Sequence, residues 1–300
     1  MNENMNENPT YKGTGVAMIT PFTPDGEVDF DTLTLLTDRL IENGINFLVV
    51  LGTTAETPTL TKHEKEEIIK CVVDACGGRV PLIAGAGGND THSSIEAIHS
   101  LNKNGIDAIL SVVPYYNKPT QQGIYQHFSA IAAASERPLV LYNVPGRTGS
   151  NMSADTTLRL ASDYPEAIVA IKEASGDFEQ ITRLLAERPD GFRVLSGDDA
   201  LTLPMMALGA EGVISVIGNG YPGQMSSLVN AALKGDYDTA RELHHALSPM
   251  FKAIFQEGNP AGIKAAMEIQ ELCNNVLRLP LVPATKALSG KIKILDSTLH

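Results

Sequence analysis

The chain reads as an α/β protein, a (β/α)8 TIM barrel followed by a C-terminal helical region. Three observations predict this. Short apolar runs recur at 15–21, 46–51, 80–84, 108–113, 139–143, 168–172, 193–196 and 212–217, with starts 19 to 34 residues apart. Apolar runs with β-branched members, closed by small-residue turns, mark strands buried on both faces of a parallel sheet. Helical patterns separate these runs, and eight β-α units is the number that closes a barrel rather than leaving an open sheet. Finally, the pattern after Leu233 is purely helical, over roughly 237–255, 260–273 and 283–299. The expected organisation is a flexible tail over 1–12, the barrel over 13–234 and the helical region over 235–300.

Local signals support the helices. Thr61 with Glu64 three residues on is a capping box that opens one helix, Gly77-Gly78 closes it, and Ser153 is an N-cap. Cys71 and Cys76 fall within that first helix, where buried thiols are the default. With Cys273 they make three cysteines at neither a zinc nor a redox spacing.

Composition narrows the function. Hydrophobic residues make up 43% of the 300, which suits a soluble globular core. The net charge is −12 with no basic run or stripe, which argues against nucleic acid as a partner. The first ten residues are polar and carry no apolar signal-peptide core. The longest apolar stretches are too short to span a membrane. The expected location is cytoplasmic.

In such a barrel the chemistry sits at the C-terminal strand ends. The run Ala167-Ile-Val-Ala-Ile ends in Lys172. An ordinary lysine has a pKa near 10.4, so about one in 2,500 is neutral at pH 7. Apolar surroundings disfavour the ammonium and produce a Schiff-base nucleophile. By itself, Lys172 reads first as a strand-end lysine reaching solvent along its stem. The preceding run, however, ends in Tyr142, with Arg147 just beyond the Pro145-Gly146 turn. A lysine, a phenol that can carry protons and a guanidinium that can grip a carboxylate suit a carbonyl acid.

Other strand ends are weaker signals. Gly52-Thr53-Thr54 reads either as a carboxylate cradle of backbone N–H groups and hydroxyls or as a plain turn. Gly85-Ala86-Gly87-Gly88-Asn89 fits neither nucleotide-binding glycine fingerprint. Asp198-Asp199 reads as a helix cap. The seven histidines show no ligand spacing, His244-His245 is expected to face solvent, and no metal site is predicted.

Four motifs stand in order: Gly52-Thr53-Thr54-Ala55-Glu56, Pro114-Tyr115-Tyr116-Asn117-Lys118-Pro119, Tyr142-Asn143-Val144-Pro145-Gly146-Arg147-Thr148-Gly149 and Ile171-Lys172-Glu173-Ala174. Together they closely resemble the dihydrodipicolinate synthase family of pyruvate-dependent class I lyases, over residues 13 to 295. Arg147 separates this family from the sialic acid and 2-keto-3-deoxy sugar acid lyases, which resemble the rest. The resemblance implies condensation of pyruvate with aspartate 4-semialdehyde, without a cofactor, in a homotetramer built as a dimer of tight dimers. It implies Lys172 as the Schiff base, and Tyr142, Thr53 and Tyr116 as a proton relay, with Tyr116 from the neighbouring subunit. Backbone at Thr53 and Thr54 would hold the pyruvate carboxylate, Gly197 and Ile214 would line its pocket, and Arg147 would receive the semialdehyde carboxylate.

One departure is Ala55, where the family pattern has glycine; it requires only that the backbone there avoid positive φ. A second concerns regulation. In lysine-inhibited members, L-lysine binds through residues matching Thr57, Pro58, Asn89 and Tyr115, with additional histidine and glutamate side chains. Those additional positions are Lys62, Lys65 and Ser93 here, so weak or absent inhibition by lysine is expected.

Overall fold

Eight parallel strands stand side by side in chain order in the computed structural model, which describes residues 11–101 and 105–299. They are β1 (Gly13–Ala17), β2 (Phe47–Val50), β3 (Leu82–Gly85), β4 (Ala108–Val112), β5 (Leu139–Asn143), β6 (Ile168–Glu173), β7 (Arg193–Ser196) and β8 (Gly212–Ser215). β8 pairs with β1 and closes the barrel. The interleaved helices are α1 (Phe30–Glu42), α2 (Lys62–Cys76), α3 (Thr91–Leu101), α4 (Gln121–Ala134), the single turn α5 (Pro145–Thr148), α6 (Ala154–Asp163), α7 (Phe178–Glu187), α8 (Thr202–Ala207) and α9 (Pro222–Leu233). Beyond them lie α10 (Tyr237–Phe255), α11 (Ala261–Ile269) and α12 (Lys286–Asp296).

Alternation along each strand divides the core in two. Ala17, Phe47, Val49, Ile83, Ala108, Leu110, Val140, Ala170, Leu195 and Ile214 fill the barrel interior. Their neighbours Val16, Leu48, Val50, Ile109, Leu139, Leu141, Ile171, Val194 and Val213 pack outward against the helices. Tyr11 joins the inner cluster: it is buried, meets Phe47 edge to face, and its hydroxyl donates to the Asp107 carbonyl. Tyr11, expected in the tail over 1–12, is thus packed into the barrel, and residues 1–10 lie outside the described residues.

Several sequence signals take their expected form. Thr61 and Glu64 make a reciprocal capping box, Gly77 ends α2 in left-handed backbone, and Ser153 caps α6. Other expectations shift. β1 runs over Gly13–Ala17 rather than 15–21, because its ladder partners are Gly212–Ser215 and Phe47–Val49. Beyond it, the Ile19 amide is taken by the Asn219 side chain instead of a strand. Only His245 of the histidine pair is exposed; His244 is half-buried, 5.6 Å from the Phe251 ring. Cys76 is buried and Cys71 half-buried. Among the described residues no helix is long and apolar enough to cross a membrane.

His127 of α4 is buried, with Nδ1 2.9 Å from Thr91 Oγ1 on α3. Burial lowers its pKa to about 4. A ring kept neutral when folded, but titrating near 6.5 when unfolded, stabilises the fold above pH ~6.5, and this is lost as pH falls towards ~4. Between pH 7 and 5 the urea midpoint should therefore fall further for the wild type than for His127→Gln. Equal falls would show that this ring does not set the acid sensitivity.

Candidate active site

Parity and register bring the central pair together. Tyr142 shares the inward face of β5 with Val140, and Lys172 follows the inward Ala170 by two residues on β6. The ladder sets Tyr142 directly beside Lys172. The lysine Nζ lies 4.4 Å from the centre of the tyrosine ring, in the arrangement by which an aromatic face attracts an ammonium. Lys172 is 5% exposed and Tyr142 6%. The amine thus sits where the core ends and a cavity begins.

That cavity, of about 180 Å³, is lined by Thr53, Thr54, Tyr142, Val144, Arg147, Lys172, Ala174, Gly197, Asp198, Val216, Phe255 and Asn259. Gly197 gives the lysine stem its room: a Cβ there would come within 2.7 Å of Ala174 Cβ and 3.0 Å of Lys172 Cγ. Arg147, on α5, is exposed and forms no ion pair among the described residues. Ile214 lies in the interior layer with Tyr142, and Val216 is the residue after β8 that reaches the cavity.

The Gly52–Glu56 loop brings the two threonines. Thr53–Ala55 forms one tight helical turn between two left-handed non-glycine residues, Leu51 at φ 57° and Glu56 at φ 56°. Each such residue costs about 1–3 kcal/mol, so the loop depends on its surroundings. The first amides of a helical turn have no acceptor within it, which leaves those of Thr53 and Thr54 suited to a carboxylate. Ala55 is not among the left-handed residues, so the missing glycine has no conformational consequence.

A polar network braces the strand ends from behind. Asn143 pairs with Glu173 in the ladder, and its side-chain amide donates to Glu173 (3.1 Å) and Asn151 (2.8 Å). The Ser175 amide and Gln180 side chain also donate to Glu173, and the Met152 amide to Asn143. Burial pushes the Glu173 carboxyl up while these donors oppose the shift. The network ties β5 to β6 and to the segment that carries Arg147.

At β7 the acidic pair divides its work. Asp198 caps the following turn, as expected, whereas Asp199 is buried and accepts from Ser215 Oγ, Val216 N and Ile217 N. Burial raises its carboxyl to about 6. The Gly85–Asn89 glycines serve close packing: a Cβ at Gly85 would lie 2.1 Å from the Leu51 carbonyl oxygen, and one at Gly87 2.7 Å from the Val112 amide. Among the described residues no group of three His, Cys, Asp or Glu is placed to hold a metal ion.

A larger hollow of about 370 Å³ adjoins the cavity, sharing Thr53, Tyr142, Val144 and Arg147 and reaching Thr57, Pro58, Lys65 and Tyr115. Beyond it, Lys62, Lys65 and Ser93 line a third hollow together with Glu66 and Glu96. Asn89 lines neither; its carbonyl accepts from the Asn117 side chain. Tyr116 is 85% exposed, at φ 71°, and is not part of the Lys172 cavity. Phe255 and Asn259 escaped the sequence reading. Their only local signal was the helix-breaking Gly258-Asn259-Pro260, which says nothing about a distant strand end.

The model of the dihydrodipicolinate synthetase family matches residues 10–295. The chain belongs to this family. A relative from Parabacteroides distasonis, named 4-hydroxy-tetrahydrodipicolinate synthase, is 54% identical over 94% of this chain and 95% of its own. Among solved members, dihydrodipicolinate synthase from Aquifex aeolicus is 43% identical with a TM-score of 0.93, covering 96% of this chain and 97% of that one. The chloride-inhibited dihydrodipicolinate synthase of Acinetobacter baumannii, solved with pyruvate, is 40% identical with a TM-score of 0.94, covering 97% and 99%.

The fit around Gly197 gives a direct test of the site. Gly197→Ala should leave the far-UV circular dichroism unchanged but displace the lysine stem. A misplacement near 1 Å can slow a reaction by about 100-fold, so borohydride trapping of pyruvate should slow towards that extent. Trapping at the wild-type rate would show that the stem has slack.

Proposed function

We propose that the chain condenses pyruvate with L-aspartate 4-semialdehyde to give 4-hydroxy-tetrahydrodipicolinate, in the diaminopimelate route to lysine. The observation that carries this reading is the Lys172–Tyr142 pair on adjacent strand ends, in a cavity that Thr53 and Arg147 also line. The shared name of full-length relatives supports it.

In this reading, amides of Thr53 and Thr54 hold the pyruvate carboxylate while the Lys172 amine adds to C2 and water leaves. The protonated imine is itself the electron sink, so C3 can lose a proton without a separate cofactor. A phenol of pKa near 10 is a poor base at pH 7 unless coupled to other groups; Thr53 and Tyr116 supply the coupling. The enamine C3 then adds to the aldehyde carbon of the semialdehyde, whose carboxylate pairs with Arg147. The amine of the adduct attacks C2, expels Lys172 and closes the ring.

Tyr116 is exposed and outside its own chain's cavity, which fits completion of the relay by a second copy in a homotetramer of tight dimers. Three free cysteines fit a reducing, cytoplasmic setting.

Product formation from pyruvate and L-aspartate 4-semialdehyde, without cleavage of sialic or 2-keto-3-deoxy sugar acids, is the expected activity. The opposite preference would overturn the proposal. Arg147→Ala should still trap pyruvate but lose about 10- to 150-fold in kcat/KM for the semialdehyde, the effect of removing a charge-assisted pair worth about 1.5–3 kcal/mol. Unchanged semialdehyde kinetics with failed pyruvate binding would reverse the assigned roles.

Co-expressed Tyr116→Phe and Lys172→Ala chains should form mixed dimers with one intact site and activity well above either parent. No gain would place Tyr116 in its own chain or outside the relay.

Inhibition by L-lysine is expected to be weak. Lys65 is half-buried where the two outer hollows meet, and Lys62 and Ser93 stand at the further family positions, although the exposed Glu66 and Glu96 share that wall. A like-charge pair near 4 Å costs about 4 kcal/mol at an effective dielectric of ~20 and about 1 in water. Half-inhibition should require well above about 1 mM L-lysine; half-inhibition at or below it would refute this and show that the matching residues Thr57, Pro58, Asn89 and Tyr115 suffice.

A further inference from the structure

The Gly52–Glu56 loop is gripped mainly from the C-terminal helical region, by residues that no motif of the site includes. Lys264 of α11 is fully buried, and its Nζ donates to Glu56 Oε1 at 2.6 Å and to the Val276 carbonyl at 2.8 Å. It lies 4.3 Å from the centre of the Phe22 ring. The second oxygen of Glu56 accepts from the Arg278 amide at 3.0 Å. One turn earlier, Asn259 donates to Thr54 Oγ1 at 2.9 Å, and Thr20 Oγ1 donates to the Ala55 carbonyl at 2.8 Å.

The contacts from Lys264, Arg278, Asn259 and Thr20 to the loop fall on three residues, Thr54, Ala55 and Glu56, the last of which is held in left-handed backbone. An interior carboxylate and ammonium persist as charges only when each satisfies the other. The pair therefore holds the loop at a set distance from α11.

We propose that Glu56 and Lys264 are positioning residues, a buried latch by which the C-terminal helical region sets the geometry of the keto-acid carboxylate cradle. Neither lines the Lys172 cavity, so any effect on the substrate passes through the loop. The inference rests on the reading of this loop as the pyruvate cradle.

The test compares wild type, Lys264→Met, Glu56→Gln and the double variant of the full chain, by melting temperature, pyruvate kinetics and borohydride trapping. Each single change strands a charge in the interior, so the double variant, which removes both, is the decisive one. It should regain most of the melting temperature lost in the singles. Its pyruvate KM should nevertheless be raised by about tenfold or more, while kcat at saturating pyruvate stays within about threefold. A folded double variant with wild-type pyruvate KM overturns the latch, because a purely structural pair would then be dispensable.

A second measurement needs no variant. In native-state hydrogen exchange of the wild type, amides of the 52–60 segment and of α11 should open together as urea is raised. Opening of the loop well before α11 also overturns the proposal. Failure of the wild type itself to trap pyruvate would instead refute the assigned function.

Discussion

A strand in a closed parallel barrel has no freedom of register, and the site depends on this constraint. Side chains alternate between the interior and the helices, so slipping one strand by a single residue turns its whole inward set outward. Closure through β8 and β1 means that no edge strand can absorb such a slip. Tyr142 and Lys172 therefore meet for the same reason that Val140 and Ala170 pack beneath them. The apolar layers of the barrel interior hold an amine beside a phenol, where neither apolar packing nor solvent alone would assemble them.

Strand ends must also dispose of buried polar groups, and here the molecule spends many of its side-chain hydrogen bonds. Glu173 and Asn143 answer each other behind β5 and β6, while Asp199 gathers the hydroxyl and two amides after β8. An unpaired buried group of this kind costs about 1–3 kcal/mol. These networks consequently tie the cavity walls together. The Gly52–Glu56 loop is the exception. It runs from left-handed Leu51 to left-handed Glu56 and takes most of its support from the C-terminal region instead.

Much of this was legible in the sequence because it is local. Alternation, capping residues and turn glycines act over a few positions, so the spacing of eight apolar runs foretold the barrel, and Thr61 with Glu64 the start of α2. Lys172, Tyr142 and Arg147 were legible because strand-end position is itself a sequence property. The extent of β1 was not, since it is set by partners nearly 200 residues away in β8. Nothing local to Lys264 in its helical pattern, or to Asn259 beside Gly258 and Pro260, marks a link to the loop. Their roles come from a partner about 200 positions distant, and no window along the chain contains both ends of such a contact. His244 was misplaced for a related reason: which face of α10 is covered depends on how that helix docks.

A single covalent event at a single side chain decides what this site does. Pyruvate followed by borohydride should inactivate the protein and leave one reduced adduct per chain, and peptide mapping should place it on Lys172. An adduct on Lys118, Lys264 or any other lysine, or none at all, would contradict the site described.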